Sequence, residues 1–205
     1  MVKDSGSGWS VSADTHKEML LALYIRDLAA IESCGSPSLA ALSPKVKPAS
    51  EHEMAGHSIG ELRQEWQSWW ERIISETDQG IDIHEEPDFA DFSDSPSLQH
   101  LLRAHYGSAY TWTQNRLGEY RDVCLGDSNE LVAKVAQLLA VRELEGTYTG
   151  DFHLKLVELP LAERRAWFVE PDTVILSQEL IRDATLFHSY LQPIVDLLSQ
   201  AVEGR

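Results

Sequence analysis

Residues suited to chemistry concentrate between positions 52 and 112 of the 205-residue chain. Gly56-His57-Ser58-Ile59-Gly60 fits G-x-S-x-G, a pattern that makes serine a nucleophile when a buried strand runs into a strained turn and a helix. A helical pattern does follow Gly60, but residues 49–55, Ala-Ser-Glu-His-Glu-Met-Ala, hold no apolar run to form the strand. Ser58-Ile59-Gly60-Glu61 reads better as a capping box, with the same hydroxyl engaged by a free backbone N–H. His52 and His57 are one residue too far apart for H-E-x-x-H, whose histidines share a helix face. Five residues turn a helix by about 140° away from register. Gly56 stands where the second histidine belongs, so no metal site is expected.

The densest carboxylate run is His84-Glu85-Glu86-Pro87-Asp88-Phe89-Ala90-Asp91-Phe92-Ser93-Asp94. Asp88, Asp91 and Asp94 fall three apart and lack the D-x-D-x-D-G order and late glutamate of a calcium loop. The ordinary fate of such a run is a solvated loop, here with Phe89 and Phe92 pinned into a core. The functional alternative makes Glu85, Glu86, Asp88, Asp91 and Asp94 a binding patch for a basic protein, acting through steering more than burial. Trp66, Trp69 and Trp70 share one predicted helix, while Tyr106 and Trp112 share another. Aromatics at helical spacing ordinarily fill a core. Trp70, at the edge of its stripe, is the candidate to line a ligand pocket with His105 and Trp112. His100 and His105 do not converge, and His153 and His188 read as isolated. No phosphate-binding glycine motif follows a strand, and no cofactor is implied.

Composition narrows the partners. The net charge is −16 and apolar residues make up 43%, the profile of a globular protein without the clustered Lys/Arg that phosphates require. Residues 73–102 carry eight carboxylates and no Lys or Arg. Half of the net charge therefore belongs to one connection, and the case against nucleic acid rests equally on the missing basic stripe. No apolar stretch approaches the 18 residues of a membrane span, and an anionic bilayer is disfavoured by charge. The polar N-terminus lacks a signal-peptide core. Cys34 and Cys124, 90 residues apart, read as free thiols in a reducing cytoplasm. Nothing indicates a homo-oligomer.

The elements that must position these residues are mostly helical. Residues 1–13 read as a flexible Gly/Ser tail. A helix starts near Asp14 or Thr15 with a Thr15–Glu18 capping box, carries Leu20, Leu23, Tyr24, Leu28 and Ile31, and stops near Gly35. Pro37 opens a short helix to Leu42, or else 36–57 is a long connection of the kind that is often mobile. Further helices are expected at 59–77, at 95 to about 123, at 127 to about 143, and over the last 25 residues, where Pro193 predicts a kink or a new start. After Gly150 the period changes to two, with strands at 152–157, 167–169 and 173–176. The fold class that follows is α+β, mainly α: an irregular bundle of about five helices with a small antiparallel β-ribbon near residues 151–177. Residues 14–205 form a single domain in this reading.

Val157-Glu158-Leu159-Pro160, Trp167, Pro171 to Ser177 and Leu191-Gln192-Pro193-Ile194-Val195 together resemble small uncharacterised proteins of high-GC Gram-positive bacteria. That resemblance implies a cytoplasmic bacterial origin and assigns no catalytic residue. The functional expectation is a non-catalytic cytoplasmic interaction or regulatory protein presenting an acidic loop. The alternatives are a serine hydrolase-like enzyme using Ser58 with His57 or His84, and a small-molecule binder with an aromatic-lined pocket.

Overall fold

The computed structural model describes residues 2–3, 9–54, 56, 58–75, 88–127, 130–144 and 152–203. The chain gathers into two compact units, residues 1–15 with 120–205, and residues 16–119, where the sequence reading has a single domain.

The first unit holds a mixed sheet. Its strands are β1 (Val2–Lys3), β2 (Trp9–Asp14), β3 (Phe152–Leu159), β4 (Ala166–Val169) and β5 (Thr173–Ser177), in the order β1-β2-β3-β5-β4. β2, β3 and β5 run parallel, while the two-residue β1 and the edge strand β4 are antiparallel to their neighbours. The expected antiparallel ribbon is therefore overturned. Within residues 152–177 only the β4–β5 hairpin is antiparallel, and β3 is an interior strand of a parallel-dominated sheet. Its sequence explains why: Leu154, Leu156, Val157 and Leu159 are all at most 1% exposed, so its C-terminal half is buried on both faces, as parallel strands require.

The strand missed in the sequence is β2. Trp9-Ser10-Val11-Ser12-Ala13 alternates apolar and polar, but its Gly/Ser surroundings read as a tail. Residues 9–13 are instead sheet, with Trp9 and Val11 buried rather than exposed. Trp9, Val11, Leu154, Leu156, Val174 and Leu176 form the apolar sheet face. They pack on Val132, Val135 and Leu139 of α4 (Glu130–Leu144), on Leu180 of the single-turn α5 (Gln178–Ile181), and on Phe187, Leu191 and Val195 of α6 (Ala184–Glu203). α6 starts where Asp183 Oδ1 accepts the Leu186 N–H at 3.1 Å, and it continues through Pro193 without a new start.

The second unit is helical. α1 (Lys17–Leu28) is capped by His16, whose Nδ1 accepts from the Met19 N–H at 3.4 Å, rather than by Thr15. Met19 to Leu23 are all buried, so this helix is covered on every side. It ends at Leu28, seven residues before Gly35, in a Schellman arrangement. The Ile31 N–H donates to the Arg26 carbonyl and the Ala30 N–H to the Asp27 carbonyl, with Ala30 left-handed at φ +52. Glycine ordinarily takes that position, so a stop signal based on glycine points too far along the chain.

The segment from 29 to 54 forms no helix at 37–42. It is tied down by side chains of α1. Arg26 donates to the carbonyls of Leu39 (2.8 Å) and Ala40 (2.7 Å), and Asp27 accepts the Leu42 N–H at 2.7 Å. Ile31, Leu39, Leu42 and Val46 are buried along it. α2 (Ile59–Ser75) buries Leu62, Trp66, Trp69, Trp70 and Ile73 as its spacing predicts, and the Trp66 indole N–H donates to the Ala22 carbonyl at 2.8 Å. α3 (Pro96–Asp127) follows a 3-10 turn at Ala90–Phe92. These make six helices among the described residues. None is long and apolar enough to cross a membrane.

Candidate functional site

The acidic loop leads into α3. Asp88, Asp91 and Asp94 are exposed, whereas Phe89 and Phe92 are 4% and 3% exposed. Phe92 meets the edge of Trp69 at 5.3 Å and Phe89 meets Tyr106 at 5.0 Å. The backbone is held as well. Arg103 donates to the Asp88 carbonyl (2.8 Å), and Gln99 bridges the carbonyls of Asp88 (2.9 Å) and Phe89 (3.0 Å). From α2, Glu65 accepts the Leu98 N–H at 2.7 Å and so caps the first turn of α3. Arg103 thus sits on a carbonyl, and among the described residues Asp88, Asp91 and Asp94 make no ion pair. Glu85, Glu86 and His84 lie outside the described residues.

Ser58 does what its capping box predicts. Its Oγ accepts the Glu61 N–H at 3.4 Å at the start of α2. Among the described residues no strand leads into it: residues 50–54 form a turn closed by a second box, in which Ser50 N–H (2.7 Å) and O–H (2.6 Å) both donate to Glu53. Those two bonds hold the Glu53 carboxyl below its ordinary pKa, with smaller help from the positive field of His105 and Lys47. His57 lies outside the described residues.

The pocket candidates have separate surroundings. Trp70 is fully buried, stacked on Trp66 at 5.4 Å, with Gly35 packed against its edge. Trp112 is half-buried, facing Tyr24 at 5.5 Å and the Arg116 guanidinium at 5.7 Å. His105 is also half-buried. Among the described residues no ring contact or hydrogen bond joins the three. Among the described residues the indole N–H groups of Trp69 and Trp70 are buried without an acceptor, a cost inside this core. Among the described residues no group of three or more His, Cys, Asp or Glu could hold a metal ion.

One constellation escapes sequence reasoning. His153 is not isolated: its Nδ1 lies 2.8 Å from Ser10 Oγ and its Nε2 3.1 Å from Ser12 Oγ. The alternations Trp-Ser-Val-Ser and Phe-His-Leu-Lys place each side chain on a polar sheet face. Only the β2–β3 register brings positions 10 and 153 together. No protein-family model, curated protein or solved structure matches the chain.

Proposed function

We propose that the chain is an interaction protein that presents its acidic 88–94 loop, continuous with Glu85 and Glu86, to a basic protein partner. The observation that carries this reading is the pairing, on one short turn, of two buried phenylalanines with three exposed carboxylates that make no ion pair among the described residues. Carboxylates on an anchored turn lose little conformational entropy on binding, and their clustered charge accelerates encounter with a cationic surface. Cys34, a buried free thiol whose pKa burial raises, suits a reducing cytoplasmic setting. The resemblance of the C-terminal segments suits a bacterial one.

The test uses a fluorescent Lys-rich peptide and the full chain, read by anisotropy at low and at physiological ionic strength. Binding should weaken with salt, and the triple reversal D88K/D91K/D94K should abolish it while leaving the circular dichroism spectrum unchanged. Binding that survives the reversal at low salt would remove the loop from the interface and defeat the proposal.

A further inference from the structure

We propose that Ser10 and His153 form a nucleophile–base pair, oriented by Ser12, that accepts acyl groups from activated esters. The three residues sit on the sheet face opposite the core. Ser10 and Ser12 are two apart on β2 and so share a face, and His153 is the register partner of Ser10 on the adjacent parallel strand β3. His153 is exposed and both serines are half-buried, so an ester can reach the group. Rigid strands, not loops, hold all three.

Ser10 Oγ lies 2.8 Å from Nδ1 and Ser12 Oγ 3.1 Å from Nε2, and the ring tautomer decides which group donates in each contact. In the proposed tautomer Ser10 O–H donates to Nδ1 and Nε2–H donates to Ser12 Oγ, an order that matches the shorter bonds hydroxyl donors make. In this tautomer Nδ1 is the base and Ser10 the nucleophile. Ser12 fixes the ring, the part a carboxylate plays in a catalytic triad. Ser10 Oγ attacks the ester carbonyl carbon, forming an Oγ–C bond as its proton passes to Nδ1. The tetrahedral intermediate then breaks its bond to the leaving oxygen, which departs with the proton from His153. Water repeats the sequence on the acyl-serine and releases a carboxylic acid. The backbone N–H groups of paired strand residues belong to the sheet ladder and are not free to support the oxyanion on the former carbonyl oxygen, so the pair is matched to activated acyl donors such as aryl esters, with an electrophilic carbonyl and a leaving group that departs readily.

The test is p-nitrophenyl acetate with the full chain, following p-nitrophenolate release and locating the acetyl group by peptide mass spectrometry. Wild type should acetylate at Ser10, with S10A and H153Q slower by about 10²-fold or more, the usual range for a positioned general base. Ser12→Ala should lower the rate, and Ser12→Thr should restore it. Acetate spread over other residues, acetylation at Ser12, or His153-dependent release that persists in S10A would each overturn the assignment. Unchanged circular dichroism in all variants separates chemistry from folding. The acidic-loop reading stands apart: D88K/D91K/D94K should leave this reaction unaltered.

Discussion

Arg26→Met removes a guanidinium that is 4% exposed and serves three acceptors at once. Nη1 donates to the Leu39 carbonyl at 2.8 Å, Nη2 to the Ala40 carbonyl at 2.7 Å, and Nε to Asp27 Oδ1 at 2.7 Å. Methionine keeps much of the stem's apolar contact, so the loss is mainly polar. Removing one partner of a buried ion pair costs about 3–5 kcal/mol, because the other charge is left uncompensated. Two carbonyls also lose a charged donor, at roughly 1–3 kcal/mol each when they stay buried. Ala40 is half-buried and can rehydrate, and these terms do not add fully. About 4 kcal/mol is the expected loss. With a urea m-value of about 2 kcal/mol/M, the midpoint should fall by about 2 M. Trp66, Trp69 and Trp70 lie in the same unit and report its unfolding by fluorescence. Arg26→Met combined with Asp27→Asn should recover part of the loss, since the stranded carboxylate is gone and the amide oxygen can still accept from Leu42. A single variant within about 1 kcal/mol of wild type, or a double variant no better than the single, would refute the claim that this network fastens the 39–42 segment to α1.

Ala30→Gly should stabilise the chain by about 0.5–1 kcal/mol in the same denaturation, because a left-handed residue costs alanine about 1–2 kcal/mol while glycine adds some entropy to the unfolded chain. Gly35→Ala should do the opposite. At φ +89 its new Cβ would stand 2.9 Å from Trp70 Cδ1 and 3.0 Å from Nε1, and overpacking with backbone strain should cost about 2–4 kcal/mol and alter the near-UV circular dichroism. Burial lifts the Glu158 carboxyl above the ordinary glutamate range, against a hydrogen bond from Gln178 and the charge of Arg182. The folded chain therefore holds that proton to higher pH than the unfolded chain, and stability falls as pH rises between the two values. Glu158→Gln should remove that decline and exceed wild type above the window in urea titrations run at several pH values. Parallel pH curves for the two proteins would contradict it.

Much of the local structure is legible in the residues themselves. The spacing of Leu62, Trp66, Trp69 and Ile73 predicts the buried stripe of α2, Ser58 predicts its cap, and Phe89 with Phe92 predicts the anchored turn under the aspartates. The change to a two-residue period after Gly150 and the stop at Pro160 mark β3. Each of these is a choice between neighbouring positions along the chain, and side-chain type decides it. Other features have no such local sign. β2 has only three apolar positions and becomes a strand because β3, some 140 residues away, supplies its ladder. The parallel sense of the sheet, the seat of His153 between Ser10 and Ser12, and the docking of Leu39 and Ala40 on Arg26 all depend on backbone groups that every residue type carries alike. An alternating pattern says which face of a strand is buried, but not which strand lies beside it. Periodicity in this sequence determined most of the elements and their buried faces, while the strand β2 and the long-range hydrogen bonds that paired the elements were decided only in the tertiary structure.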